Sequence, residues 1–201
     1  MVLENKLNIT DQVELARTEE KISKQKAKQL FDSNDIQHVE SGTFKGLAYI
    51  QDYLFSDIYD FAGKIREVNI SKEDFRFVPV MYLESALEKI SRMPQSTVDE
   101  IIEKYVEMNI AHPFREGNGR ATRIWLDVIF KTELEKVIDW NRIGKDTYLS
   151  AMKRSVVNAL EIKAVLNQAL THDIDNRTLF MKGIDVSYFY EGYSEFKTDD
   201  V

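Results

Sequence analysis

Apolar residues recur at three- and four-residue spacing along most of this 201-residue chain, and that period predicts helices with one buried face. Asp11 and Glu14 have capping-box spacing, so a long polar helix is expected from there to about Phe31. FKGLAYIQDYLFSDIYDFA reads as a core helix, and helical patterns return at YLESALEKISRM, TVDEIIEKYVEMNIA, RIWLDVIFKTELEKV, DTYLSAMKRSVVNAL and IKAVLNQAL, with a weaker one near NRTLFMK. In one place the period changes. KIREVNI and FRFVPV alternate about the turn SKED, which predicts a single β-hairpin in an otherwise helical chain. The fold class is mainly α. The last 17 residues, DVSYFYEGYSEFKTDDV, suggest a short helix capped at Asp185 or Ser187 and ended by Gly192. So short a helix is unstable alone in water, and its aromatics (Tyr188, Phe189, Tyr190, Tyr193, Phe196) imply that it docks on the rest.

Composition narrows the function classes. The chain is 43% hydrophobic and 30% charged, ordinary for a soluble protein of one domain. No apolar run approaches the roughly 18 residues of a membrane span, and the N-terminal MVLENKLNIT lacks a signal-peptide core. The absence of cysteine excludes disulfides, thiolate catalysis and cysteine-based zinc sites, and makes a cytoplasmic home the simplest expectation. A net charge of −7 argues against general nucleic-acid binding. The basic run KISKQKAK (Lys21 to Lys28) reads as a solvated helix face.

The stretch HPFREGNGRATR, His112 to Arg123, fits neither a continuous helix nor a core strand. Pro113 ends the preceding helix near His112, and Phe114 is the natural core anchor for the turn. Gly117, Asn118 and Gly119 let the backbone approach a ligand and point several N–H groups one way. A new helix is expected near Arg120, its N-terminus a ready anion site. Arg120 and Arg123, three apart, flank that site, and the guanidinium fork suits phosphate oxygens. Glu116 is out of place in a simple anion hole but makes sense if Mg²⁺ lies between it and phosphates. His112 is the one base near neutral pH in the stretch. Taken singly, such a histidine is usually a cap, GNG a tight turn and the arginines solvated. Together within twelve residues they suggest displacement at phosphorus.

HPFREGNGRATR resembles the signature of Fic-domain proteins, HPFx[DE]GNGRxxR, at every specified position. VNISKEDFRF looks like the family's flap, and the helices over about 44–170 fit its core. The resemblance implies one Fic domain over 1–201: a helical bundle with one hairpin flap and a short C-terminal inhibitory helix over about 185–196. It implies AMP transfer from ATP to a Tyr, Thr or Ser hydroxyl of a protein. His112 would be the base, and Glu116 would hold Mg²⁺ between the α- and β-phosphates. Gly117, Asn118 and Gly119 would form the anion hole, with Asn118 also on the α-phosphate. Arg120 would meet the β-phosphate side and Arg123 the γ-phosphate. Flap residues Ile70, Ser71, Lys72 and Phe75 would pair with an extended target segment. Tyr148 is assigned loosely to the adenosine pocket. SYFYEG fits the family's inhibitory motif [ST]xxxE[GN] through Ser187, Glu191 and Gly192, so Glu191 would hold Arg123. Tyr188, on the same helix, is the candidate for self-modification.

Other functions compete. A kinase relative has Lys where this chain has Gly119, and another relative transfers phosphocholine; Gly119 with Arg123 favours AMP transfer. Removal of AMP with help from Glu191 is an alternative, as is a non-catalytic nucleotide-binding module. Neither nucleic acid nor membrane is expected as a partner. The target's identity and self-association stay open.

Overall fold

The computed structural model describes residues 2–72 and 75–201. Among them are eight α-helices: α1 Gln12–Asp32, α2 Phe44–Phe55, α3 Val80–Ser91, α4 Val98–Ala111, α5 Asn118–Leu134, α6 Lys145–Ser155, α7 Leu160–Gln168 and α8 Arg177–Tyr190. The expected hairpin is present but small, β1 Ser71–Lys72 pairing antiparallel with β2 Phe75–Arg76. Glu73 and Asp74, half of the expected SKED turn, lie outside the described residues. A second ladder, which the sequence pattern does not suggest, joins β3 Val137–Ile138 to β4 Leu170–Thr171. None of the helices formed by described residues is long and apolar enough to cross a membrane.

Helix α5 is the centre. It buries Ala121, Ile124, Trp125, Leu126, Ile129 and Phe130 on several faces, and it packs against α2, α4 and α8. Its position is pinned from α2's end, where the Trp125 indole donates to the Thr43 carbonyl at 3.0 Å. Helix α4 leads into the site and is capped reciprocally, Thr97 and Glu100 each accepting from the other's backbone N–H.

Two expectations are corrected. The C-terminal helix is not a short one beginning at Asp185 or Ser187. It forms the last turns of α8, which starts at Arg177 and is capped by the Asn176 side chain on the Leu179 N–H. Asp185 does not cap a helix because its carboxylate serves tertiary partners, the Lys24 ammonium and the Thr198 backbone N–H and hydroxyl. The helix ends at Tyr190, and Gly192 turns the chain with φ +95°, while the Tyr193 N–H closes on the Tyr188 carbonyl.

The basic run on α1 is only in part a solvated face: Lys21 is exposed, but Lys24 and Lys28 are engaged. Lys24 is 1% exposed and lies between Glu20, Asp185 and the Phe196 carbonyl; Lys28 donates to the Asp199 carbonyl. Residues 193–200 therefore run back along α1 and strap α8 to it. Met181, Ile184, Tyr188 and Tyr190 are buried, and side chains of this size contribute about 1.5–3 kcal/mol each when fully buried. Packing of this extent outweighs any single ion pair, so the helix does not depend on one polar contact for its docking.

Candidate active site

The loop between α4 and α5 is closed by its own residues. His112 caps α4 in a left-handed conformation, φ 50°, which turns the chain sharply into Pro113. Phe114 is fully buried. The Asn118 amide accepts from the Phe114 N–H at 2.8 Å and donates to its carbonyl at 2.7 Å, so the loop is locked from within. Gly117 has φ +74°, and a Cβ there would stand 2.3 Å from the Phe55 ring; only glycine fits. Helix α5 begins at Asn118, two residues before the expected Arg120. Its first amides have no acceptor within the helix and mark the positive end of its dipole. The Asn118 side chain is committed to Phe114, which leaves its backbone N–H as the group directed out of the helix.

A carboxylate from α8 covers this helix N-terminus. A Cβ on Gly119 would lie 2.2 Å from Glu191 Oε1, so the carboxylate rests on the backbone of Gly119. The Arg123 guanidinium donates to Glu191 Oε1 at 2.7 Å, to Ser187 Oγ at 2.7 Å, to the Ser187 carbonyl at 2.9 Å and to the Tyr148 hydroxyl at 3.3 Å. Burial pushes the Glu191 carboxyl up, but Arg123, with help from Arg120 and Lys72, outweighs it and holds the group at about 2.

Arg120, one turn away from Glu116, points to the other side. It donates to Glu19 of α1 at 2.7 Å and to Glu116 at 2.9 Å, and it lies against the rings of Phe55, Tyr188 and Tyr193. Glu116 also accepts from the Gly117 N–H at 2.9 Å and keeps a third of its side chain exposed at the lip of the site. Among the described residues no group of three or more His, Cys, Asp or Glu could hold a metal. Glu116 thus offers one hard oxygen donor. That fits a magnesium ion which takes its remaining ligands from phosphates and water, and does not fit an all-protein metal cage.

The His112 imidazole stacks on Phe77, centroids 3.8 Å apart and planes 19° from parallel. Burial drives its pKa down to about 4, so it is neutral at physiological pH and can accept a proton. Its backbone is held by Arg66, which is 3% exposed and donates to the carbonyls of His112, Val68, Val78 and Ala111. Arg66 therefore ties the base of the hairpin to the end of α4. Ser71 and Lys72 on that hairpin are exposed, and Ile70 and Phe75 are half-buried.

Two residues singled out in the sequence are buried in this structure. Tyr148 is 2% exposed, stacked on Tyr190 and hydrogen-bonded to the Tyr105 hydroxyl. It lies beneath Arg123, which donates to its hydroxyl. Tyr188 is fully buried, its hydroxyl without a hydrogen-bond partner and its pKa pushed up by burial to about 12. Self-modification there requires α8 to leave its seat.

Sequence reasoning missed Glu19, Arg66 and Phe77. Glu19 had a signal: it shares the stripe Leu15, Ser23, Ala27, Leu30, where an acid at a buried register needs a cationic partner. Arg66 and Phe77 had none beyond lying in the hairpin stretch.

Comparison with known proteins agrees with this geometry. Residues 43–130 match the family model described as Fic/DOC family. A "Probable protein adenylyltransferase Fic" of Salmonella typhimurium is 28% identical over 137 residues, 62% of this chain and 68% of that one. "Protein adenylyltransferase VbhT" of Bartonella schoenbuchensis is 28% identical over 193 residues, 88% of this chain but only 38% of the relative. Among solved structures, the BepC protein of Bartonella tribocorum with bound AMPPNP superposes with a TM-score of 0.69 at 18% identity, covering 85% of this chain and 93% of that one. The N-terminal FIC domain of Bep8 from Bartonella sp. 1-1C gives 0.71 at 19% identity, covering 89% and 92%. These structural likenesses are of fold.

Proposed function

We propose that this chain, which carries a Fic domain, is a protein adenylyltransferase held inactive by Glu191. The observation that carries the reading is the Glu191 carboxylate itself, an anion resting on the N-terminus of α5 and bonded to Arg123. A site that binds one anion in this way is built for another.

With Glu191 withdrawn, the amides of Asn118 and Gly119 face a phosphate, and Arg123 is free for the γ-phosphate. The arginine already has the right orientation, because Ser187 and Tyr148 fix its plane. Mg²⁺, when bound, supplies charge neutralisation between the phosphates. Glu116 is the group that would hold it, and Arg120 orients Glu116. A target segment adds to the hairpin as an extended strand, bringing a hydroxyl toward His112. The neutral imidazole takes the hydroxyl proton. The hydroxyl oxygen bonds to the α-phosphorus, the bond from that phosphorus to the α–β bridging oxygen breaks, and pyrophosphate leaves.

In the state described here Arg123 cannot turn to a γ-phosphate without giving up Glu191. The described residues behave as one unit in this reading: a core over about 44–170, with α1 and α8 each adding an acid to the site. The partner is a protein with a hydroxyl side chain. Incubation of Glu191→Gly with ATP labelled at the α- or the γ-phosphate tests the reaction class. AMP transfer leaves α-label on protein and none from γ; the reverse outcome makes the protein a kinase.

A further inference from the structure

We infer that Glu19, on a helix outside the matched core, is a positioning residue of this site: it neutralises Arg120, so that Arg120 orients Glu116 without capturing its charge. The observation is a chain of three charged groups, two of them buried and the third at the lip of the site. Glu19 is 2% exposed and accepts from Arg120 at 2.7 Å, from the Tyr193 hydroxyl at 3.0 Å and from the Tyr59 hydroxyl. Arg120, also 2% exposed, passes its other amino group to Glu116 at 2.9 Å. One cation therefore stands between two carboxylates, and α1 supplies the one that never reaches the open site.

The charge balance has a direct consequence. With Glu19 present, the Arg120 charge is shared, and the partly exposed Glu116 carries unbalanced negative charge toward the nucleotide. Without it, Arg120 and Glu116 form a closed pair in a sheltered place, where opposite charges attract strongly. A divalent cation must then compete with Arg120 for the same oxygens. Glu19 acts through Arg120 and touches no reactant. This inference rests on the reading of Glu116 as the metal ligand of an ATP site.

The test compares Glu191→Gly with Glu19→Gln/Glu191→Gly, by calorimetric binding of the non-transferable analogue α,β-methylene-ATP over a Mg²⁺ titration. The account expects the half-saturating Mg²⁺ for nucleotide binding to rise about tenfold in the double variant. It expects Arg120→Met to erase the difference that Glu19→Gln makes, since the effect passes through Arg120. An unchanged Mg²⁺ dependence, with only thermal stability lowered, reduces Glu19 to a core partner and overturns the inference. A lower Mg²⁺ requirement or tighter nucleotide binding makes Glu19 a competitor that restrains Arg120, and also overturns it. Nucleotide binding to Glu191→Gly that ignores Mg²⁺ altogether overturns both this inference and the metal reading beneath it. Should Glu19→Gln fail to fold, Glu19→Asp withdraws the carboxylate by one methylene, and the same shift, smaller, is expected; a parental dependence there is equally fatal.

Discussion

The loop from His112 to Gly119 and the hairpin β1–β2 face the same space, yet they are held very differently. In the loop, Asn118 bonds both backbone groups of Phe114, Gly117 fits against Phe55, and Arg66 clamps the His112 carbonyl. In the hairpin, each strand has two residues, and Ser71 and Lys72 stand in solvent. In the proposed function the difference follows from two tasks. Stabilising charge at a transferring phosphorus requires donors already aimed before the reaction, which suits a loop fastened at His112, Phe114, Gly117 and Asn118. Gripping an extended peptide uses backbone N–H and C=O groups, which any sequence supplies and which should remain unpaired until a target arrives. Arg66 joins the two regions, donating to the carbonyls of Ala111 and His112 on one side and of Val68 and Val78 on the other.

Breaking the firm half should cost most. His112→Ala is expected to lower transfer by about 10²–10⁴-fold in the Glu191→Gly background, with nucleotide affinity nearly unchanged; single-turnover kinetics with labelled ATP measure it. Glu116→Ala comes next. It should weaken Mg²⁺-dependent nucleotide binding by about tenfold, seen by calorimetry, because it removes the carboxylate at the lip of the site that is read as the metal's protein ligand. Breaking the open half should cost less and differently. Ser71→Pro removes a strand N–H and should slow transfer to an added target on the order of fivefold, without moving nucleotide affinity.

The smallest expected effect is that of pH. His112, at about 4, stays a competent base over the neutral range and is lost only as the pH falls through that value. Glu191 is depressed from 4.5 to about 2, so its contribution to docking is complete above about 4.5 and declines as the pH falls toward 2. Between about pH 6 and pH 8 neither group changes charge, and transfer by the released enzyme should be flat. A steep rise across that interval would show His112 to be less shielded than its contact with Phe77 implies.

The catalytic loop was legible in the sequence because its parts are close together: a proline stop, two glycines and two arginines carry their geometry locally. Glu191 was legible only through a short pattern, since its partner lies 68 residues away. Glu19 and Arg120 are 101 residues apart, and a polar-looking α1 hid the fact that two of its acids, Glu19 and Glu20, face inward. The start of α8 was misplaced because Asp185 and Ser187 are good capping residues by type. Tertiary partners claim both side chains, Lys24 and Thr198 for Asp185 and Arg123 for Ser187, and the helix runs through them. The extent of the flap strands was overestimated for the opposite reason. Alternation in KIREVNI marks Arg66 turned inward to carbonyls, not a strand with one apolar face.

The central claim is that one carboxylate separates the described state from an active one. The most direct measurement is protein-bound label from α-labelled ATP, self-modification included, in the parent and in Glu191→Gly with a lysate as target. Each 1.4 kcal/mol or so removed from the Glu191–Arg123 restraint raises the active population about tenfold, so Glu191→Gly should incorporate at least about ten times more AMP. Circular dichroism should show α8 still formed, since its buried side chains hold it. A Glu191→Gly protein that is folded, binds ATP and transfers no more AMP than the parent would contradict the account.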